Sequence, residues 1–357
     1  FSEPWHRIYG CCTAKACHEA HSQWFFTCNF IFRKDTYMTN SHPITRLQKF
    51  RLLSLIPLYF MIVGLFLQPI TEILPGLWTL IKEPDFLITD YFLVGGIGTS
   101  FINAGLLMLL CIWTIYFLDM EMDGHTITSS CLMFGFSLFG KNLLNIWAIL
   151  AGVYLYARYH KTSMRRYIYI GLYGTSLSPI ITQMMQVGNL PVVMRMAIAL
   201  AVGLIIGFVL AAPFHSCAFC TQRVFFVQCG VCRSIIATVI VSVLKSLGVE
   251  IESRLIWSTG NNEIFGIVLS VLFGGMIVFG VAVRGRSIWE SYRRIIKSYG
   301  IGGTDYLRDE AVPALCSTWE SMDCLPPILY WQWEVNWNGP TICGIFTIVA
   351  LGPRENI

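Results

Sequence analysis

Apolar runs of about 20 residues, the length needed to cross the hydrocarbon core of a bilayer, recur along this chain of 357 residues. They lie near 50–69, 92–118, 127–157, 166–187, 192–212, 230–248 and 264–283, and another opens near 341. Lipid offers no partner to an exposed peptide group, so an open run of this length must satisfy its backbone internally as a helix. The composition fits: 55% of the residues are hydrophobic and 13% are charged, against roughly 25% charged in soluble domains. The fold class expected is all-α, a polytopic transmembrane helical bundle with the lipid bilayer as its first partner. A net charge of +4, from 25 Lys+Arg against 21 Asp+Glu, argues against nucleic acid as a second one. Residues 1–40 are polar and rich in Cys and His, without the pattern of a cleavable signal peptide.

Basic residues in short loops set the orientation. Arg46, Lys49 and Arg51 precede the first run and place its N-terminal side in the cytoplasm. Arg158, Lys161, Arg165 and Arg166 mark a second cytoplasmic loop, and Arg284, Arg286, Arg293, Arg294 and Lys297 a third. The acid-rich loops from Glu72 to Asp90 and from Glu250 to Glu263 then lie outside. Residues 91–157 must cross an odd number of times although they hold two apolar runs. One of those runs is expected to be broken or re-entrant.

The chain also repeats itself at an offset of 215 residues. Thr89-Asp90-Tyr91 returns as Thr304-Asp305-Tyr306, Asp123-Gly124-His125-Thr126-Ile127 returns as Asn338-Gly339-Pro340-Thr341-Ile342, and the run at 50–69 maps onto 264–283. A shared offset is stronger than any one short match. The first run has its basic residues before it, whereas its counterpart has acids before and basic residues after, so the two copies should cross in opposite directions. Two inverted-topology repeats, the second incomplete, are therefore expected, as in secondary transporters whose substrate sites lie at the repeat interface on discontinuous helices. The corresponding division is a non-native or disordered leader at 1–37, a first membrane repeat at 38–248 and a truncated second repeat at 249–357.

Three segments depart from membrane-protein character. Residues 214–233 and 316–337 concentrate Cys, Trp and Gln, and the first holds Cys217-x-x-Cys220 and Cys229-x-x-Cys232, ordinarily a zinc-site spacing. Back-translated and read two bases to the right, 316–336 permits an Asn-Met-Gly that falls as far after Thr304 as Asn103-Ala104-Gly105 falls after Thr89. The same shift in 350–357 permits a Gly-Lys at the repeat offset from Gly140-Lys141. Residues 214–232, shifted by one base, permit a basic loop leading into a span. These segments are expected to be frameshifted translations, which the nucleotide sequence would test. Met38 precedes a natural lead-in to the first run, which is why the 37 residues before it are set apart. Ten cysteines (Cys11, Cys12, Cys17, Cys28, Cys217, Cys220, Cys229, Cys232, Cys316 and Cys324) of the 13 fall in such segments. The remaining Cys111, Cys131 and Cys343 lie in apolar runs, where a buried thiol is ordinary.

With those frames repaired, the chain resembles a bacterial family of polytopic membrane proteins known as domain of unknown function 1576. The resemblance rests on ITDYFLVGGIGTSFINAGLL (88–107), DGHTI with LFGKNLLNIW (123–147), GVYLYARY (152–159) and VIVSVLKSLGVEIESRLIWSTGNN (239–262), and covers most of 45–310 and 338–349. The departures are the three shifted segments and a second copy without the equivalent of residues 143–212, so the chain resembles a truncated member. The family brings no activity with it.

Function must then come from the residues. Gly95-Gly96-x-Gly98 with Asn103 and Gly105 opens the second run. These glycines admit close helix packing through small residues or a broken helix whose freed backbone groups, with Asn103, line a polar cavity. No strand precedes them, so they are not a dinucleotide fingerprint. Lys141 lies inside the run 127–157 between Gly140 and Asn142, with Asn145 a turn later. A charge at membrane depth is costly and marks a functional site, where Lys141 would meet an anionic substrate or a carboxylate such as Asp123. The alternative is two short segments joined by a Gly-Lys-Asn turn at the interface. Asp123 and its counterpart Asn338, with Thr341, suit helix capping better than chemistry. No Ser/His/Asp or H-E-x-x-H arrangement occurs, and no metal or cofactor is expected. The function expected is a secondary transporter or permease for a small-molecule or ion substrate, multi-pass in the bacterial cytoplasmic (inner) membrane. The alternative is a non-transport membrane scaffold or an intramembrane enzyme.

Overall fold

The computed structural model describes residues 45–83, 88–185, 191–216, 225–246, 255–284 and 336–351. Thr45 starts the first helix, α1 (Arg46–Leu67), with a capping box: its hydroxyl accepts from Gln48 N while the Gln48 side chain accepts from Thr45 N. Gln68-Pro69 ends it, because proline offers no amide to continue the ladder. A shorter helix, α2 (Ile70–Lys82), follows. The two-residue strand β1 (Ile88–Thr89) leads into α3 (Tyr91–Val94) and then α4 (Ile97–Phe117). Beyond them lie α5 (Gly124–Phe136), α6 (Trp147–Tyr159), α7 (Ile168–Gly174), α8 (Pro179–Met184), α9 (Val192–Ser216) and α10 (Phe225–Ser246). Strand β2 (Leu255–Ile256), α11 (Asn262–Arg284) and α12 (Gly339–Leu351) close the sequence of elements. β1 and β2 pair in parallel, Ile88 with Leu255 and Thr89 with Ile256, and are the only strands among the described residues.

The all-helical class stands, and four helices, α1, α4, α9 and α11, are long and apolar enough to cross a membrane. Two expected spans are built differently. The run 127–157 is not one helix but α5 and α6, each of 13 residues, about 20 Å at 1.5 Å per residue. Ser137, Gly140, Asn142 and Asn145 separate them, and such side chains compete for backbone hydrogen bonds that a helix would use. The run 166–187 is likewise broken, into α7, a 3₁₀ turn (Thr175–Leu177) and α8, which begins at Pro179. In 230–248 the apolar part of α10 is limited to Gly230–Val243.

Helix directions follow from contacts at their ends. Phe50 packs on Tyr116 while Gly64 lies against Gly98, so α1 and α4 are antiparallel. Asp119, just beyond α4, accepts from Arg46 at 2.8 Å and from Arg165 at 3.4 Å. Arg46 also donates to the carbonyls of Tyr116 and Met120 at 2.7 and 2.9 Å. The start of α1, the end of α4 and the turn after α6 thus share one end of the bundle. α5 leaves that end and α6 returns to it, so 124–159 is a hairpin and residues 137–146 are its tip.

Two close approaches hold this hairpin. On one side α9 runs parallel to α6, where a Cβ on Gly207 would stand 2.1 Å from Ile149 O and one on Gly152 2.2 Å from Leu204 O. Small residues at these places let the backbones meet, as in helix pairs within lipid. On the other side α12 runs antiparallel to α5: Gly339 abuts Leu138, Cys343 abuts Gly135, and the Phe346 and Phe134 rings lie 4.6 Å apart. α12 covers the positions 215 beyond those of α5, from Gly124 to Gly339 and from Phe136 to Leu351. The core between these pairs is aromatic. Phe60 of α1 meets Phe101, Phe134 and Phe346 at 5.1, 4.4 and 5.7 Å, and Phe92 meets Phe265 at 4.6 Å. Six helices therefore share one buried cluster.

Candidate functional site

Between α3 and α4 the helix is interrupted at Gly95-Gly96, and Gly96 takes a φ of +87°, a conformation costly for residues with a Cβ. An interruption frees peptide groups that must find partners when buried. Gln68, the residue that ends α1, supplies them: its Oε1 accepts from Thr99 N at 3.0 Å and its Nε2 donates to Gly95 O at 3.3 Å. Sequence reasoning overlooked Gln68; its signal was an amide side chain at the end of an apolar run, directly before proline. Gly98 and Gly105 serve packing instead, since Cβ atoms there would stand 2.5 Å from Gly64 O and 2.4 Å from Met61 Cγ.

Asp90 caps α3 by accepting from Phe92 N at 3.1 Å, and its other oxygen accepts from Ser258 N at 3.1 Å and Ser258 Oγ at 2.6 Å. It is wholly buried. Gly339, at the start of α12, sits so close that a Cβ would lie 2.9 Å from Leu138 O and 3.0 Å from Asp90 Oδ1. Three chain segments far apart in sequence thus meet beside the hairpin tip. The sequence showed Asp90 only as part of a repeated triplet; this joining role has no local signature.

The tip is stitched together by amides. Asn103 Nδ2 donates to Ser137 O and to Lys141 O, both at 2.9 Å. Asn142 Oδ1 accepts from Leu144 N and Asn145 N, and Asn145 Oδ1 accepts from Asn142 N. Asn145 Nδ2 then donates to Gly140 O at 3.0 Å and to Thr182 Oγ1 at 3.1 Å. Gly140 has a φ of +98° and lies under Pro179. Asn103, Gly140, Asn142 and Asn145 therefore set the path of the backbone around Lys141.

Lys141 itself is 1% exposed. Its Nζ reaches Met133 Sδ at 3.7 Å and stands 5.1 Å from the centre of the Phe136 ring. A thioether is a weak acceptor, and a ring face attracts a cation without accepting its three hydrogens conventionally. Among the described residues no carboxylate pairs with it; the ion pairs there belong to Asp119. The Gly-Lys-Asn turn exists, but it lies inside the bundle. Asp123 sits at the far end of α5, accepting from Thr126 N and Oγ1 and from Tyr169 OH at 2.9 to 3.0 Å. It caps α5, as Asn338 caps α12 by accepting from Thr341 N at 2.9 Å while Thr341 Oγ1 accepts from Asn338 N.

Among the described residues no group of three or more His, Cys, Asp or Glu side chains gathers to hold a metal. The Cys-x-x-Cys pairs lie mostly outside the described residues, as do Thr304-Asp305-Tyr306 and the segments 316–335 and 352–357. The family model described as Protein of unknown function (DUF1576) matches residues 70–246. Over that stretch the chain belongs to the DUF1576 family. The DUF1576 match runs from α2 to α10 and so contains the helix break, the hairpin and Lys141, whereas α1, α11 and α12 lie beyond it. No curated protein and no solved structure matches the chain.

Proposed function

We propose that this DUF1576 protein is a secondary transporter or permease for a small anionic solute, held in the bacterial inner membrane, with Lys141 at its substrate site. The observation that carries the reading is the ammonium of Lys141, buried at the tip of a re-entrant hairpin with no acid among the described residues to balance it. Burying an uncompensated charge costs several kcal/mol, and a solute anion arriving at the tip would offset that cost. A charge held at this depth without transport, catalysis or pairing has no evident use.

The inverted repeat belongs to the same reading. α5 and α12 have equal length, start from matching Asp/Thr and Asn/Thr caps and pack antiparallel. α1 and α11 start 216 positions apart, at Arg46 and Asn262. Copies related in this way suit alternating access around a fixed site. The test is uptake by proteoliposomes holding the whole chain, with labelled sulfate, phosphate, succinate, nitrate and butyrate as solutes. Uptake of at least one that is lost in Lys141→Ala supports the reading. Uptake of none, or uptake indifferent to that substitution, favours a membrane scaffold.

A further inference from the structure

Two helices stop at the same end of the bundle, and in the same way. After α4, Met120 N donates to Ile115 O at 3.3 Å and Asp119 N to Tyr116 O at 2.9 Å. After α6, Thr162 N donates to Ala157 O at 2.9 Å and Lys161 N to Arg158 O at 3.1 Å. Both are Schellman turns, in which the residue after the cap takes a left-handed backbone that glycine ordinarily fills. Here that residue is Asp119, with a φ of +56°, and Lys161, with a φ of +52°. Among the described residues no other residue with a Cβ has a positive φ. The conformation is costly for such residues and points to side chains kept there for a use.

For Asp119 the use lies within the chain, because its carboxylate holds Arg46 and Arg165. Lys161 is exposed, and among the described residues its ammonium has no partner. A cation suits the end of a helix, but Arg158 already supplies one from the ordinary backbone of the last turn of α6. Arg166 is exposed as well, its guanidinium 5.9 Å from the centre of the Tyr167 ring. Seven Lys and Arg residues lie at 46–51 and 158–166, against three carboxylates at 119–123, one of which is already shared by two arginines. Phe117 and Tyr159, the last residues of α4 and α6, are 79% and 74% exposed. Exposed rings of this kind settle at the headgroup level of a bilayer, so the cations around Tyr159 stand at headgroup depth.

We propose that Arg158, Lys161 and Arg166 form a docking surface for anionic phospholipid headgroups, with Lys161 presented to them by its left-handed turn. A lipid phosphate stands to Lys161 as Arg46 and Arg165 stand to Asp119. Cations act on such a headgroup layer through their summed potential, over about a Debye length, and need not converge on one atom. The surface lies at the open end of the hairpin, away from Lys141, and does not depend on what the tip binds.

The experiment titrates the purified full-length chain in detergent with phosphatidylglycerol or with phosphatidylcholine of the same acyl chains, reading the thermal midpoint. Phosphatidylglycerol should act at a concentration at least about tenfold lower, and this preference should shrink in high salt. Lys161→Gly should raise the midpoint without lipid, because glycine suits the turn, and should weaken phosphatidylglycerol about fivefold, the worth of one cation near an anionic surface. Adding Arg158→Gln and Arg166→Gln should bring the two lipids level. Should that triple variant fail to fold, Lys161→Gly with Arg166→Gln should still lose most of the preference.

No preference in the wild-type chain, or one that survives these substitutions, overturns the docking surface. A lower lipid-free midpoint in Lys161→Gly would show that Lys161 is held within the chain, and overturns it too. Glycerol phosphate acting at the same concentration as phosphatidylglycerol would assign the cations to a free phosphate. Poly-glutamate acting below that concentration would assign them to an acidic protein segment. Either result excludes the lipid.

Discussion

Asn103 and Lys141 are joined through a side-chain amide and a main-chain carbonyl 2.9 Å apart, and the same amide nitrogen reaches Ser137 O. One buried residue of α4 therefore satisfies two carbonyls of a hairpin tip that has no helix to do it. Replacing it by Leu keeps the volume and strands both acceptors, at about 1–3 kcal/mol for each unsatisfied group. The Asn103→Leu protein should lose about 2–4 kcal/mol, read as a lowered thermal midpoint in detergent. It should also lose anion binding with Lys141 still present, because the tip that presents the lysine is no longer held. Wild-type stability in this variant would mean that the tip is held by other groups.

Asp90 and Ser258 form the corresponding link on the other side of the tip, with two hydrogen bonds between residues 168 positions apart. Asp90→Asn turns one acceptor oxygen into a donor facing the Ser258 amide, and should cost about 1–3 kcal/mol. Ser258→Ala removes the hydroxyl alone and should cost about 1–2 kcal/mol, the range of a bond to a charged group. The effects should not add: a double-mutant cycle should return about 1–2 kcal/mol of coupling. Additive effects would show that the two residues act separately on stability.

These links mark the boundary of what the chain's letters reveal. The all-helical class, the first span and the caps at Asp123 and Asn338 are local matters, governed by hydrophobic run length and by Asx side chains before a helix, so they can be read directly. The charge count also leads to the expectation of a broken or re-entrant run within 91–157. It could not choose between 92–118 and 127–157, because both are apolar and both contain glycine. The choice depends on where the ends meet, and Arg46, Asp119 and Arg165 bring the two ends of 124–159 together from distant parts of the chain. Gln68 filling the break at Gly95-Gly96, and Asp90 reaching Ser258, are tertiary matches between ordinary-looking residues. No periodicity records them.

The glycines divide into two kinds with opposite expected signs. Gly207 faces Ile149 O so closely that any side chain must separate α9 from α6, and overpacking of this sort costs about 1–3 kcal/mol or more. Gly207→Leu should therefore lower the thermal midpoint by several degrees. Gly266 in α11 has nothing within 4 Å of a Cβ among the described residues. At that helical position Gly266→Ala removes only backbone freedom and should gain up to about 1 kcal/mol. Equal effects from the two substitutions would contradict the close α6–α9 packing.

The re-entrant path of 124–159 can be checked without knowing any substrate. Helices of 13 residues reach about 20 Å, short of the hydrocarbon thickness of about 30 Å, and their outer ends meet Asp119 and Arg165 at one end of the bundle. Glu121 and Ser163 flank the hairpin and are exposed, whereas Thr259, also exposed, lies beside Ser258 at the opposite end of α4. In a background without other reactive thiols, Glu121→Cys and Ser163→Cys should react with an impermeant maleimide from the same membrane face. Thr259→Cys should react from the other. A segment that instead crossed once would place positions 121 and 163 on different faces, and labelling from opposite sides would exclude the hairpin. Labelling of all three from one face would exclude α4 as a span. The expected pattern requires both features together: a full crossing by α4 and a turning back at Lys141.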